Sequence, residues 1–368
     1  MAYQNVGTPR FYVDILQWLK AQGLVSVQNT SFAEDVSFIM DLIGINPTSI
    51  IELSGGDGSN NTIRYNTTHP LKDLMPNDKN FAMALGHNFG TAESSFYTAE
   101  GEGTTAGAGT NSTWTSVAST GYVNSTSVGS GGNIDYDGFS IHIGNDAHNM
   151  QTNIFQFRFD YQGDGNVYND NPIKIGSLLY GTYYDMPHSP DLSLKLSYEY
   201  DGVKTQQTKG GATLSNALYT KPADWGDYGA WQLGIHSALE SNLRSGRRVW
   251  DLSFSYLSDT DVFPVNANRS YVANVGSETG YGDVFTTDEY DNYLFNSNVL
   301  TGTDFFSQVW NKTMGGHLAF IFNPSGGGTS PNNNPDQFAI CRFDMDSLQY
   351  DQVAHNTYNV KLKIRESW

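Results

Sequence analysis

The sequence predicts a mainly β protein, with an antiparallel β-sandwich-type core, one or two short helices and long polar loops. In residues 192–200 and again in residues 249–257, apolar or aromatic side chains alternate with polar ones. This period of two is typical of an antiparallel strand with one buried and one solvated face, and neither stretch has helical spacing. The second stretch should bury Trp250, Leu252, Phe254 and Tyr256 together.

The composition agrees with this class. Aromatic residues make up 13% of the 368-residue chain, including 22 tyrosines and 20 phenylalanines, and aromatic side chains favour sheets. Charged residues make up only 16%, whereas about 25% is usual in a globular domain. The polar surface must therefore consist largely of Asn, Ser, Thr, Gln and Gly, which is typical of extracellular or virion β proteins.

Charge, cysteine content and hydropathy narrow the range of partners. The net charge is -18, and the sequence has no basic stripe for phosphates, so we expect no nucleic-acid partner. Cys341 is the only cysteine, which excludes an intramolecular disulfide and indicates a small buried residue. We find neither a secretory signal at the start nor a run of about 18 apolar residues, so we expect no membrane partner.

We expect residues 1–90 to contribute a helix and strands. Residues 10–20 fit both a strand and a helix, because their apolar side chains match either spacing. Residues 32–44 predict a short helix, with Ser31 as the N-cap and Glu34 three residues later, as in a capping box. Residues 50–53 and 81–85 predict short strands.

Residues 91–133 differ in kind, since they are rich in Gly, Ser, Thr, Ala and Asn. This composition fits a flexible linker, and it fits equally an extended arm that becomes ordered against a neighbouring subunit. We favour the arm, because a linker needs no apolar anchors. The anchors are Trp114, Val117, Tyr122 and Val123.

Residues 134–264 should form a central β domain, and residues 265–368 a C-terminal β segment that packs on it. In the central domain, residues 153–161 add a third alternating strand, and a long polar excursion spans residues 204–247. In the C-terminal segment, residues 317–322, 338–343 and 358–364 predict strands. The last of these should place Val360, Leu362 and Ile364 on one face.

One loop partly matches a calcium site. Asp160, Asp164 and Asn166 offer oxygen ligands. The match fails at the third position, which is Gln162, and at the twelfth, where Asn171 stands in place of a bidentate Glu. Asp-Gly-Asn is also ordinary turn chemistry. We therefore interpret this stretch as a hairpin loop and predict no metal and no cofactor.

We predict that the protein is not an enzyme. Two close carboxylate pairs, Asp135 with Asp137 and Asp224 with Asp227, resemble the paired acids of glycosidases. Acidic residues are abundant here, however, and such pairs also flank turns. The sequence contains no Gly-x-Ser-x-Gly elbow, Walker loop or Gly-x-Gly-x-x-Gly fingerprint. A Ser-His-Asp triad built from distant residues stays open.

An aromatic cluster is a candidate contact site. Trp225, Tyr228 and Trp231 lie in a Gly-containing stretch. Exposed rings there could anchor a protein neighbour or stack on a host glycan, and the alternative is that they pack against a sheet edge. Trp114 is a further interface candidate.

A basic cluster is the second candidate contact site. Arg244, Arg247 and Arg248 stand together in an otherwise acidic sequence. Arginine is enriched at interfaces and pairs bidentately with carboxylates. The cluster therefore fits either a contact with acidic loops of another subunit or an internal set of ion pairs.

Three stretches resemble virion structural proteins of tailed bacteriophages, especially aquatic ones. They are MAYQNVGTPRFYVD at the start, GSLLYGTYYDMPHSPDLSLKLSYEYDGVKT with GRRVWDLSFSYLSDTDVFP in the middle, and YNVKLKIRESW at the end. The resemblance implies a tail, baseplate or neck protein, made in the host cytoplasm and located in the virion. It would form homo-oligomers and dock to other virion proteins, and the resemblance supplies no catalytic residues. A head decoration protein and a carbohydrate-binding or adhesin protein are the alternatives.

Overall fold

The structure is a computed structural model that describes residues 6–45, 50–55, 61–68, 71, 74–75, 79–100, 115–116, 134, 136–144, 153–161, 171–192, 194–199, 204–216, 224–225, 228–229, 246–264, 302–334 and 337–367. This part of the chain is mainly β with antiparallel sheets, which confirms the predicted fold class. Its helices are α1 (Ile15–Gln22), α2 (Val36–Asp41), α3 (Asp259–Val262) and the π-helix α4 (Phe306–Trp310). None of these four helices has the length and apolar character that crossing a bilayer requires.

The strands account for most of the regular structure. In chain order they are β1 (Arg10–Asp14), β2 (Val25–Thr30), β3 (Ile51–Leu53), β4 (Asn61–Thr67), β5 (Asn80–His87), β6 (Ser94–Glu100), β7 (Thr115–Ser116), β8 (Gly138–Gly144), β9 (Ile154–Tyr161), β10 (Ile173–Ile175), β11 (Ser177–Asp185), β12 (Lys195–Glu199), β13 (Lys204–Gln207), β14 (Thr213–Asn216), β15 (Asp224–Trp225), β16 (Tyr228–Gly229), β17 (Arg247–Ser258), β18 (Phe320–Asn323), β19 (Ala339–Phe343), β20 (Tyr350–Ala354) and β21 (Thr357–Glu366). The strands predicted at residues 50–53, 81–85, 153–161, 338–343 and 358–364 are confirmed as β3, β5, β9, β19 and β21. Of the strand predicted at residues 317–322, only the part from Phe320 onward is present, as β18.

Ten strands form the larger sheet. Their order is β12-β17-β21-β19-β18-β1-β11-β5-β8, and β20 also pairs with β21. All of these pairings are antiparallel. Strand β1, from the start of the chain, lies between β11 and β18. The N-terminal, central and C-terminal segments therefore contribute to one continuous sheet.

A five-stranded sheet, of order β2-β4-β9-β6-β7, packs on one half of the larger sheet. Phe155 on β9 and Tyr180 on β11 join the layers, with ring centroids 4.2 Å apart. Helix α1 adds Ile15, Leu16 and Leu19 to the same apolar cluster. The two facing sheets with a shared core give the sandwich that the alternating strands predicted.

The larger sheet also curls around a second apolar cluster on its other face. Phe139 lies on β8 and Phe338 directly precedes β19, yet their ring centroids are only 5.7 Å apart. Tyr12 on β1 contacts Phe338 as well, at 6.0 Å. Four strands separate β8 from β19 in the sheet order, so strong twist and curvature must bring these two strands together.

Residues 10–20 form both of the elements that their spacing allowed. Strand β1 ends at Asp14, and helix α1 begins at the next residue. Asp14 Oδ1 accepts a hydrogen bond from the Leu16 N–H at 3.0 Å, which caps the helix. Gly23 ends the helix in the left-handed conformation, at φ 70°.

The second predicted helix is present, but its predicted cap was wrong. Helix α2 is capped by Asp35, whose side chain accepts a hydrogen bond from a backbone N–H in the first turn. Ser31 instead donates its backbone N–H to Thr62 O at 3.0 Å. Glu34 accepts hydrogen bonds from the backbone and the hydroxyl of Ser54. Both residues of the supposed capping box are therefore engaged with neighbouring segments.

A β-bulge changes the expected face of β17. Trp250, Leu252 and Phe254 are buried as predicted, but Tyr256 is 79% exposed. The pairing of β17 with β21 shifts register between Phe254 and Leu257, and Tyr256 takes a positive φ of 63°. The extra residue turns Tyr256 outward and gives its place in the core to Leu257.

The stretch at residues 192–200 is less buried than its alternation predicted. Its strand, β12, covers only Lys195–Glu199 and pairs with β17 at one end of the described sheet. Leu194 and Leu196 pack partly against the core, whereas Leu192 and Tyr198 are exposed. A strand with one described neighbour has apolar side chains covered from one side only.

Part of the predicted arm belongs to the sandwich. Strand β6, within residues 91–133, pairs along its whole length with β9 and then with the short strand β7. The anchors proposed for the arm, at positions 114, 117, 122 and 123, lie outside the described residues.

Gly181→Ala should destabilise the fold. A β-carbon at this position would overlap Val13 O and lie 2.8 Å from Ile15 N, and backbone atoms at the strand–helix junction have no room to yield. We expect the free energy of unfolding to fall by at least about 2 kcal/mol, measured by urea denaturation. Gly210→Ala is the matched control, since its β-carbon would meet only Thr208 Oγ1, at 4.0 Å. Equal losses in the two variants would contradict the close approach.

Asp14 should make the stability depend on pH. Burial raises the pKa of Asp14 to about 7, although backbone hydrogen bonds oppose the shift, whereas the unfolded value is about 4. The folded state therefore holds the proton more tightly. The stabilisation that this tighter proton binding gives to the folded state is fully present below about pH 4 and is lost as the pH rises towards about 7.

The matched variant is Asp14→Asn, which keeps an acceptor oxygen and does not ionise. Relative to this variant, the wild-type free energy of unfolding should fall by on the order of a few kcal/mol across that pH window. Denaturant titrations at several pH values measure the difference. Parallel pH profiles for the two proteins would show that Asp14 is not the responsible group.

Candidate functional site

One face of the larger sheet carries an unusual concentration of charge. On β12, β17, β21 and β19, alternate side chains point into the core, and those between them point to the opposite side of the sheet. Charged residues stand there beside the buried Val249 and Ile340. On β21, for example, Val360, Leu362 and Ile364 are buried, as predicted, whereas Lys361 and Lys363 are exposed. We call this outward side the charged face. Its members are Lys195, Glu199, Arg247, Asp251, Arg342, Asp344, Lys361, Lys363 and Arg365.

The charges stand in rows across the strands. Lys195 lies opposite Asp251, which lies opposite Lys363. Lys363 Nζ then forms an ion pair with Asp344 Oδ2 at 2.6 Å, and this hydrogen bond raises the pKa of Lys363. Signs therefore alternate along the row. Because the row is mounted on paired strands, its spacing is set by the sheet and not by flexible loops.

Two grooves lie on the charged face. The larger, of about 600 Å³, is lined by three lysines, Lys195, Lys361 and Lys363, and we call it the lysine groove. The smaller, of about 220 Å³, we call the arginine groove. Its lining residues are Arg247, Arg342, Phe343, Asp344, Arg365, Glu366 and Ser367. Asp344 lines both grooves, so the two are adjacent.

Arg342 is the least compensated charge in the arginine groove. It lies directly opposite Arg365 on the neighbouring strand, and like charges in this position repel. Arg365 has a carboxylate partner, since its Nε donates to Glu199 Oε2 at 3.1 Å. Within the part of the chain that the structure describes, no hydrogen bond or ion pair joins Arg342 to another residue. Its half-buried position lowers its pKa.

Arg248 takes the internal alternative that the sequence left open. It is buried, and its Nη2 lies 3.0 Å from Glu366 Oε1 and 2.7 Å from Phe338 O. Burial by itself would lower the pKa of Arg248, but the charge of Glu366 and its hydrogen bonds outweigh burial and raise the pKa. The guanidinium of Arg248 is therefore engaged inside the chain, and its role as an interface residue stays a prediction.

The other predicted contact residues are only partly described. Arg247 lines the arginine groove, which keeps it as a candidate. Trp225 and Tyr228 are paired residues of the β15–β16 ladder. Trp231, Arg244 and Trp114 lie outside the described residues.

Of the three candidate ligands in the metal loop, the structure describes only Asp160. Asp160 is buried and forms an ion pair with Arg158 on the same strand, with Arg158 Nε 2.7 Å from Asp160 Oδ1. Arg158 Nη2 engages the other oxygen, Oδ2. Asp164 and Asn166 lie outside the described residues. Among the described residues, no group of three or more His, Cys, Asp or Glu side chains is placed to hold a metal ion.

The carboxylate pairs do not form a described catalytic pair. Asp137 accepts hydrogen bonds from the backbone N–H of Thr91 at 2.9 Å and from its hydroxyl at 2.6 Å. Asp135 and Asp227 lie outside the described residues, and of Asp224 the structure describes the backbone pairing in β15. Asp137 thus ties the loop before β6 to the strand β8 region.

A Ser–His pair is present in the sandwich, but its geometry is that of a core contact. His87 Nε2 lies 2.8 Å from Ser140 Oγ, and the Phe89 N–H points to His87 Nδ1 at 3.3 Å. Since Nδ1 accepts, the ring proton is on Nε2, so this nitrogen does not take a proton from the serine. Both residues are buried, and burial lowers the pKa of His87 to about 3.

A buried polar cluster around α4 was missed at the sequence level. Lys312 Nζ donates to Gln308 Oε1 at 2.8 Å, and burial lowers the pKa of Lys312 to about 7. Asp304 caps the same turn, accepting from the Ser307 N–H at 2.9 Å. π-Helices often mark functional positions, but these side chains are almost fully buried and line neither groove.

Sequence reasoning also missed the charged face itself. The signal that could have found it lies in β21, where Lys361, Lys363 and Arg365 alternate with the apolar residues Val360, Leu362 and Ile364. The strand prediction for residues 358–364 rested on the apolar residues alone. The remaining cations come from β12, β17 and β19, which are distant in the chain and are brought together by strand order.

Comparisons of the chain with protein-family models, with curated proteins and with solved structures find no match.

Proposed function

We propose that this protein is a structural component of a tailed-phage particle, in the tail, baseplate or neck, that works by self-assembly and by docking to neighbouring virion proteins. The observation that carries this proposal is the charged face. It places the lysines and arginines of two grooves on rigid strands, in a chain that has 20 basic and 38 acidic residues. The resemblance of three sequence stretches to virion proteins supports the same function.

The physical properties of the face suit protein contact. The row of alternating sign from Lys195 to Asp344 rewards one relative position of a partner and penalises a shift of one strand, so it favours specificity and orientation. A basic patch on an acidic molecule complements a different part of a second copy. Such a contact is head-to-tail, and it closes into a ring or extends into a tube depending on the rotation between copies.

The polar groups away from the face favour binding over catalysis. His87, Lys312 and Asp160 are each buried and engaged with a neighbouring side chain. Arg248 and Glu366 are used in the ion pair beneath the arginine groove. The charges of the face, in contrast, lie on the outer side of the sheet, where Lys361 and Lys363 are exposed. A broad sheet surface suits a protein partner better than a small substrate.

A projecting hairpin adds a second docking element. Strands β13 and β14 pair only with each other among the described strands, and every side chain from Lys204 to Asn216 is exposed. Leu214 is 59% exposed on this hairpin. Because this hairpin contributes no side chain to the core, it adds little to the stability of the monomer. Its exposed side chains are well placed to contact a neighbouring protein.

The purified chain should associate in solution. Sedimentation measurements over a concentration series should show a closed oligomer such as a hexamer or twelve-mer, and raised salt should weaken it, because the contacts are between surface charges. A discrete trimer would instead favour the head decoration or adhesin alternative. A monomer at every concentration would contradict self-assembly and favour a protein that orders on another partner or binds glycans.

A further inference from the structure

We propose that the arginine groove binds a side-chain carboxylate of a second copy of this chain, an inference that rests on the self-assembly proposed above. The groove holds three guanidinium groups, those of Arg247, Arg342 and Arg365. A guanidinium presents a planar fork of donors that matches the two oxygens of a carboxylate. The site therefore has both the charge and the hydrogen-bonding shape for this ligand.

Arg342 indicates that the ligand comes from outside the described chain. Its side chain is half-buried and stands opposite another arginine. Partial desolvation and like-charge repulsion both disfavour this arrangement in the free chain. Arg365 is offset by Glu199 and Arg248 by Glu366, whereas Arg342 has no such partner among the described residues. A carboxylate bound between Arg342 and Arg365 would remove both penalties at once.

The size of the groove favours one side chain over a larger ligand. Its volume is about 220 Å³, which is below the range of roughly 300 to 1,000 Å³ that small-molecule sites occupy. One carboxylate with part of its methylene stem fits such a space. The groove adjoins an open sheet face, so the rest of a protein partner can lie flat against the strands.

The distribution of charge favours a carboxylate over a polyphosphate chain. A nucleic acid lying along the face would meet Asp251, Asp344 and Asp346 between the lysines. A single carboxylate in the arginine groove meets three guanidinium groups. The two carboxylates of the lining, Asp344 and Glu366, already form ion pairs with Lys363 and Arg248.

Charge complementarity favours a second copy of this chain as the source of the carboxylate. The chain carries a net charge of -18, so the surface that one copy presents to another is predominantly acidic. Exposed carboxylates on described parts away from the face include Asp41 and Glu52, which form surface ion pairs with Lys20 and Lys174 and keep side chains that are 64% and 59% exposed. Donor and acceptor surfaces are then different parts of the molecule, which is the condition for a head-to-tail contact.

The test compares Arg342→Gln with Lys361→Gln in the full chain. Both substitutions remove one positive charge from the same face, but Lys361 lines the lysine groove and not the arginine groove. We expect the self-association constant, from sedimentation, to weaken at least about tenfold in Arg342→Gln and by no more than about threefold in Lys361→Gln. Arg342→Lys, which keeps the charge and loses the fork, should fall between wild type and Arg342→Gln.

A stability measurement guards against a trivial loss of fold. Because Arg342 lacks a described partner and faces Arg365, the melting temperature of monomeric Arg342→Gln should equal or exceed that of wild type. If Arg342 had a merely structural role, its substitution would lower the melting temperature.

In a parallel titration, a hexaglutamate peptide should bind wild type and Lys361→Gln and compete with self-association, whereas Arg342→Gln should bind it at least about tenfold more weakly.

The outcomes separate this inference from the proposed function. If wild type associates and Arg342→Gln associates equally well, the arginine groove is not the contact, and self-assembly stands. If wild type is monomeric at every concentration, self-assembly and the second copy as ligand both fail. If inorganic phosphate or an oligonucleotide displaces hexaglutamate at lower concentration than free glutamate does, the groove is a phosphate site and the carboxylate assignment is wrong.

Discussion

The burial of strand β1 on both faces is the constraint on which the rest of the structure depends. Phe11 and Val13 belong to one apolar cluster and Tyr12 to another on the opposite side of the sheet. β1 pairs with β11 on one edge and β18 on the other, so it joins the sandwich half of the sheet to the half that carries the charged face. The close approach at Gly181 then lets the chain turn at once into α1.

The charged face follows from the same alternation that builds the core. Burial of Val360, Leu362 and Ile364 fixes the rotation of β21, and a strand rotated in this way must show Lys361, Lys363 and Arg365 to the other side. A slip of one residue would bury three cations, which is far too costly to occur. The apolar cluster on one side of the sheet thus fixes the exact set of charges on the other.

Local pattern was enough to predict the fold class and many of the strands, but not the site. Alternation is a property of neighbouring residues, so β9, β17 and β21 could be recognised, and so could the mixed strand and helix character of residues 10–20. The bulge at Tyr256 could not, because it arises from pairing with β21. The opposition of Arg342 and Arg365 depends on the register of two strands separated in the chain. Strand order and register arise only in the folded chain, and they bring the residues of the charged face together.

Arginines on the two sides of the sheet have different surroundings, and this difference favours the proposed intermolecular contact at Arg342. On the core side, Arg248 is enclosed by Glu366, which offers both carboxylate oxygens, and by Phe338 O, because an unpaired buried charge would destabilise the fold. On the outer side, Arg342 is half-buried beside a like charge with no described counterpart. Stability in the isolated chain accounts for the first arrangement and argues against the second. The chain has 38 acidic residues, yet none of the described ones forms an ion pair with Arg342. An intermolecular carboxylate would require Arg342 to be accessible in this way.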